Sequence, residues 1–167
     1  KGIVNNGARI VVESGAYIKV HGDNTTGYTN KSYGSKHGRI DLDGEIVVNG
    51  FFTNNATANS VFINLDGMGV VSFEGGSAQA INGTQPIAFE GVNLSGGNIT
   101  MNTDISLTGA LNFGSGLLDL NSNTLSFGSA ASVSGTPGTS SMLIPGTTGV
   151  VRKYYASAGS FTYPIGD

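Results

Sequence analysis

SLTGALNFGSGLLDLNSNTLSFGSAASVSG, residues 106–135, is a run of short apolar alternations cut by glycine, asparagine and serine. Leu111/Phe113, Leu118/Leu120, Leu125/Phe127 and Ala131/Val133 each place two apolar side chains on one face of an extended segment. No interval between them is long enough for a helix, so the period of two reads as β-structure with one face buried. Sliding the stretch by 20 puts Ile105 on Leu125, Leu107 on Phe127, Leu111 on Ala131 and Phe113 on Val133. A slide of 19 puts Ile99 on Leu118 and Met101 on Leu120, and farther back a slide of 21 puts Ile40 on Val61 and Leu42 on Ile63.

Self-similarity at a period near 20, with several strands per period, is what a coil that closes and stacks on the next one requires. The expectation is an all-β, right-handed parallel β-helix (solenoid) of about 20 residues per coil. At about 4.8 Å per coil, six or seven coils make a rod on the order of 30 Å long. The same alternation continues outward through Ile10/Val12, Ala16/Ile18/Val20, Ile46/Val48, Val61/Ile63/Leu65, Val71/Phe73 and Ile87/Phe89. The alternative is an antiparallel β-sandwich, whose strands run longer and whose turns come every 8–12 residues or so.

The solenoid is expected over residues 1–136, with a polar excursion at 21–38, HGDNTTGYTNKSYGSKHG. Pro137-Gly138 and Pro145-Gly146 mark residues 137–149 as a hinge. Residues 150–167 alternate again without the coil spacing and are expected to open a further β unit, truncated. A chain that starts at Lys1-Gly2 is expected to be a processed or excised piece.

Charge narrows the function classes. Only 11% of the 167 residues are charged, and 27 are glycine. Between Arg39 and Arg152 there is no lysine or arginine, only acids from Asp41 to Asp119. Nucleic-acid binding needs cations to displace phosphate counterions, so that partner is set aside. No run of 18 apolar residues exists to form a transmembrane helix. There is no cysteine, hence no disulfide or thiolate chemistry.

Several strings, in order, resemble a group of surface and secreted proteins of Bacteroidetes-type bacteria that use the type IX secretion route. These are GRIDLDGEIVVNGFFTNN (38–55), VVSFEGGSAQAINGTQPIAFEGVNLSG (70–96), SLTGALNFGSGLLDLNSNTLSFG (106–128) and GVVRKYYASAGSFTYPIGD (149–167). The resemblance implies an adhesin-like, modular protein, extracellular or at the cell surface, whose partners are the secretion machinery and outer-membrane surface components during export. It carries no shared catalytic residues. Extracellular polysaccharide and other cell-surface ligands are the binding partners to consider.

Candidate sites follow from residue chemistry. Polysaccharide lyases, which often adopt this fold, need a base such as Arg or Lys and a cation for the sugar carboxylate. Only Lys19 and Arg39 lie near the polar excursion. Asp41, Asp43 and Glu45 alternate with Ile40, Leu42 and Ile46 on an outward face. Their roughly 6.6 Å spacing lies between the two glycosidase separations, and the oxygens could also take calcium. A solvated face paired with Lys19 or Arg39 is the simpler reading. His21, Asp23 and His37 bracket the excursion as a candidate zinc set, though their spacing matches no standard ligand pattern. Tyr28 and Tyr33, beside Lys31 and Lys36, form the candidate sugar-stacking platform on a loop. Asn-x-Ser/Thr triplets such as 24–26 and 98–100 carry no weight in a bacterial chain. Thr100, Thr103, Thr108 and Thr124 do not repeat at the coil period, which disfavours an ice-binding face. No cofactor is implied. The expected function is a non-enzymatic structural or adhesive segment, the alternative a carbohydrate-binding or carbohydrate-active module.

Overall fold

The computed structural model describes residues 2–23, 25–57 and 61–166. The described residues form a parallel β-solenoid of about six turns and contain no helix. Each full coil contributes three short strands, one per face. The first coil is β1 (Ile3–Asn6), β2 (Arg9–Val12) and β3 (Tyr17–Val20). In the second, β4 (Gly27–Tyr33) turns into a two-residue β5 (Lys36–His37) before β6 (Arg39–Leu42) and β7 (Glu45–Val48). The third is β8 (Phe51–Asn55), β9 (Phe62–Ile63) and β10 (Val70–Phe73), and the fourth β11 (Gln79–Gly83), β12 (Ile87–Phe89) and β13 (Gly91–Ser95). The fifth comprises β14 (Ile99–Met101), β15 (Ile105–Leu107) and β16 (Ala110–Ser115). The sixth comprises β17 (Leu118–Asp119), β18 (Thr124–Phe127) and β19 (Ser132–Gly135). Beyond it, β20 (Leu143–Ile144) pairs with β17 and β21 (Val150–Lys153) with β18, so residues 137–153 carry two faces of the same stack onward.

Every pairing between named strands is parallel except the β4–β5 hairpin, which excludes the sandwich. The first face runs β1-β4-β8-β11-β14-β17-β20 and the third β3-β7-β10-β13-β16-β19. The second is split into β2-β6-β9 and β12-β15-β18-β21. Across that split, side chains do what the ladder does not. Phe62 and Phe89 lie with ring centroids 5.4 Å apart, and Phe52 sits 5.8 and 5.5 Å from them. Inward positions stack in columns, such as Ile46, Val71, Val92 and Leu111 on the third face, all buried. A continuous apolar core of this kind supplies most of the folding free energy, because each buried aliphatic side chain contributes about 1.5–3 kcal/mol.

The coil length departs from expectation. Register partners are 18 residues apart at Ile87 and Ile105 but 30 apart at Arg9 and Arg39, and the spacing is about 24. A fixed slide therefore misregisters some strands. Ile40 faces Phe62 rather than Val61, Leu111 faces Val133 rather than Ala131, and Phe113 faces Gly135. Leu65, expected inward, is exposed. The cause is chiefly the corners, whose length varies from coil to coil. Where coils press closest, only glycine fits: a Cβ on Gly27 would run into the carbonyl oxygen of Phe51 in the next coil.

Candidate functional site

The polar excursion is more ordered than a loop, and much of it belongs to the wall of the solenoid. Gly27–Tyr33 is a strand of the first face, with Tyr28 level with Phe52 and Asn30 level with Asn54. This removes Tyr28 from the ligand platform. Its side chain is buried, its ring stacks on Phe52 at 5.1 Å, and burial pushes its phenol up to about 12. The Tyr28 hydroxyl donates to Asn30 Oδ1 at 3.4 Å. Asn30, itself fully buried, donates from Nδ2 to Gly38 O at 2.7 Å and to Asn54 Oδ1 at 3.1 Å. Asn5 occupies the same column one coil earlier and donates to Ala8 O at 3.0 Å. Three asparagines thus line one inner corner, where side-chain amides satisfy turning backbone that cannot reach a strand.

Lys31, Tyr33 and Lys36 remain outside. Tyr33 and Lys36 face each other across the β4–β5 turn, and Tyr33 is 70% exposed. The hairpin base carries a cluster that composition alone concealed. Ser32 Oγ lies 2.8 Å and Thr57 Oγ1 3.0 Å from His37 Nδ1, while Thr57 N–H donates to Ser32 Oγ at 3.0 Å. A serine beside an imidazole resembles the first two members of a nucleophilic triad. Here the serine oxygen also accepts a backbone N–H, and no hydrogen bond joins His37 to a carboxylate among the described residues.

The proposed zinc set is not assembled. His37 is engaged with Ser32 and Thr57. Asp23 Oδ1 accepts from the N–H and hydroxyl groups of Thr25 and Thr26 at 2.7–3.1 Å. Those donors, led by the Thr25 hydroxyl, hold the Asp23 carboxyl down at about 2. His21 is exposed. Among the described residues no three His, Asp or Glu side chains gather as metal ligands.

The outward acids diverge as well. Asp41 pairs with Arg9, and Glu45 accepts from the Ser72 hydroxyl. Of the two basic residues considered, Lys19 pairs with Glu74 at 2.9 Å. Asp43 stays among its own kind: desolvation, then repulsion from Asp66, Asp41 and Glu13, raises its carboxyl above the usual range. An open hollow beside Asp43 and Glu45 is edged by Tyr17, Met68 and Asn93, and Tyr17 and Met68 are strongly exposed.

Two polar features were invisible in the linear sequence. Glu90 is buried, with its two oxygens accepting the N–H groups of Gly67 and Gly69 at 2.6 Å each, and so clamps the corner of the preceding coil. On the outside of the first face, Asn121 Nδ2 donates to Asn102 Oδ1 and Asn102 Nδ2 to Asn82 Oδ1, both at 2.8 Å, forming a ladder along the axis.

A cavity of about 620 Å³ lies at the sixth coil between β19 and the returning segment 155–162. Lys153 closes one side. Its Nζ donates to the carbonyls of Gly128, Ser129 and Ala131 at 2.6, 2.9 and 2.8 Å and lies 5.3 Å from the Phe161 ring centroid.

Comparisons with protein-family models, with curated proteins and with solved structures each find no match. The fold and the geometry define the class: a parallel β-solenoid repeat protein.

Proposed function

We propose that the chain is a non-enzymatic structural and adhesive segment of a large secreted or cell-surface bacterial protein, exported by the type IX route. One observation carries the structural half: the stack is held by an unbroken core and by polar links from coil to coil, including the Asn82–Asn102–Asn121 ladder. A repeat array of this kind is a natural spacer, since each coil supports only its neighbours and length is added without redesign. The export half rests on the string resemblance, from GRIDLDGEIVVNG (38–50) to GSFTYPIGD (159–167). Fractionating a native host and a mutant lacking type IX secretion tests it. Surface material should carry the chain in the first and lose it in the second. Equal surface display in both refutes the route, and turnover of any polysaccharide by the purified chain refutes the non-enzymatic reading.

A second reading, carbohydrate binding, draws on the hollow where the exposed Tyr17 ring stands beside Asp43, Glu45 and Asn93. An aromatic face with adjacent hydrogen-bonding groups is the usual composition of a sugar subsite. Tyr17→Ala should abolish glycan retention on an array if that hollow is the site.

A further inference from the structure

On the third face every coil from the first to the sixth supplies a strand, and each of β3 to β16 is covered by the strand of the next coil. At β19 the succession stops although the chain goes on. Residues 154–162 cross above this face as an irregular segment, and the chain then returns to the first face, where Leu143 N–H donates to Pro164 O and Gly166 N–H to Leu143 O. Between this segment and β19 lies the 620 Å³ cavity.

The missing neighbour can be described atom by atom. Ser132 N–H donates to Gly109 O and Thr136 N–H to Phe113 O, both toward β16. In a parallel ladder alternate residues turn to opposite sides, so the N–H and C=O of Val133 face the cavity. Ala131 has the same parity, and its carbonyl is taken by Lys153. The slot therefore begins where the lysine ends. Val133 and Phe161 are only partly buried where the core column of the third face stops. Below Gly135 the column holds Phe73, Leu94 and Phe113; the glycine adds no side chain to that column, although Phe113 itself stays buried. Ser132, Ser134 and Gly135 are exposed, and no proline or charge within β19 blunts the edge.

We propose that this slot binds an extended peptide, which adds to β19 as the absent strand of the third face. The chain itself states the preferred sequence. Its own rungs there are Val71-Ser72-Phe73, Val92-Asn93-Leu94 and Leu111-Asn112-Phe113, an aliphatic residue, a small polar residue and a large apolar one. The occupant is thus an extended segment of that pattern in a partner protein, held by main-chain hydrogen bonds to Val133 and by two apolar side chains over Val133 and Gly135. Its middle residue is uncharged, because among the described residues the one ionic group lining the cavity, Lys153, already has three carbonyl partners. This site is independent of the spacer reading.

A fluorescent peptide EGVNLSGG, the sequence of residues 90–97, tests it by polarisation against the whole 167-residue chain. Saturable binding is expected, with loss when the Val and Leu of the peptide become Ser. Val133→Pro removes the cavity-facing N–H, at an edge position where proline is tolerated, and should weaken binding about tenfold. Equal affinity for wild type and V133P overturns the proposal, as does binding of a neutral oligosaccharide in place of the peptide. Amide exchange on the unaltered protein decides the matter should V133P fail to fold. The Val133 amide should exchange freely alone and become protected with peptide; protection without peptide means that segment 155–162 already fills the slot, and the idea fails.

Discussion

The coils before Phe73 and those from Gln79 to Phe127 solve the same stacking problem differently. Early coils are long, with register partners 22–30 residues apart, and carry the hairpin, the inner asparagines and, among the described residues, both ion pairs. Later coils take 18–20 residues, move their asparagine ladder outside, and turn the buried polar side chains of Gln79 and Glu90 onto the corners of the long coils before them. Longer corners bring more backbone that no strand can pair, and buried amides must then satisfy it. Tight corners avoid the problem. The lesson is that the outward polar decoration of the early coils goes with their length, while the short coils act as rigid continuation.

The joint between the two regions is the aromatic cluster at the split second face. Phe89→Ala removes the ring that contacts both Phe52 and Phe62 and should cost about 3–5 kcal/mol, read by urea denaturation. If the halves behave as nearest-neighbour units, the melt should also broaden into two transitions, the early coils going first. A single, merely shifted transition would show that the contrast is geometric and not energetic. Asn30→Ala probes the early corner alone. It strands Gly38 O, leaves Asn54 Oδ1 with only the Ala56 N–H, and should cost about 2 kcal/mol. Asn102→Ala, on the outer ladder of the late coils, should cost well under half of that, since water replaces its partners.

How far the sequence carried the reading follows the same division. Within the short late coils a slide of 19 or 20 found true partners, Ile99 with Leu118 and Ile105 with Leu125. In the early coils variable corners hid the register, so the strand Gly27–Tyr33 read as a loop. A signal was present: GYTNK (27–31) set on FFTNN (51–55) aligns Tyr28 with Phe52 and Asn30 with Asn54, the pairs that stack and bond. That Tyr33, Lys31 and Lys36 stand outside was legible from polarity. The Glu90 clamp was not, because its glycine partners lie a coil away and only stacking brings them together. The cavity over β19 was equally hidden, being the absence of a rung.

Lys153 sets the far end of the comparison, where short coils give way to a long return. Lys153→Met loses three carbonyl contacts and should cost about 2 kcal/mol by chemical denaturation, while the early coils keep their stability. Two acids sharpen the contrast within the early corners, with opposite signs. Asp23 is depressed to about 2 when folded, so its stabilising contribution is complete above the unfolded value near 3.8 and is lost as pH falls toward 2. Asp43 is raised, so the folded state takes up its proton first, and stability falls as pH climbs through the range between 3.8 and its folded value. Asp43→Asn should therefore raise Tm at neutral pH and lose that advantage on acidification, whereas Asp23→Asn should lower Tm at neutral pH and match wild type near pH 2.

The smallest effect separates wall from ornament inside a single hairpin. Tyr28 and Tyr33 lie five residues apart on one strand, one ring in the core and the other at the tip. Tyr33→Ala should change unfolding free energy by no more than about 0.5 kcal/mol, because an exposed side chain away from caps and packing has little to lose. Tyr28→Ala should cost about 3–5 kcal/mol, as any buried aromatic would. The pair also assigns any glycan or surface binding found for this region. Loss of binding in Y33A with an unchanged melting curve places recognition at the hairpin tip with Lys31 and Lys36. Binding lost only in Tyr28→Ala, together with stability, would mean that the tip is passive and that the variant has simply unfolded the wall beneath it.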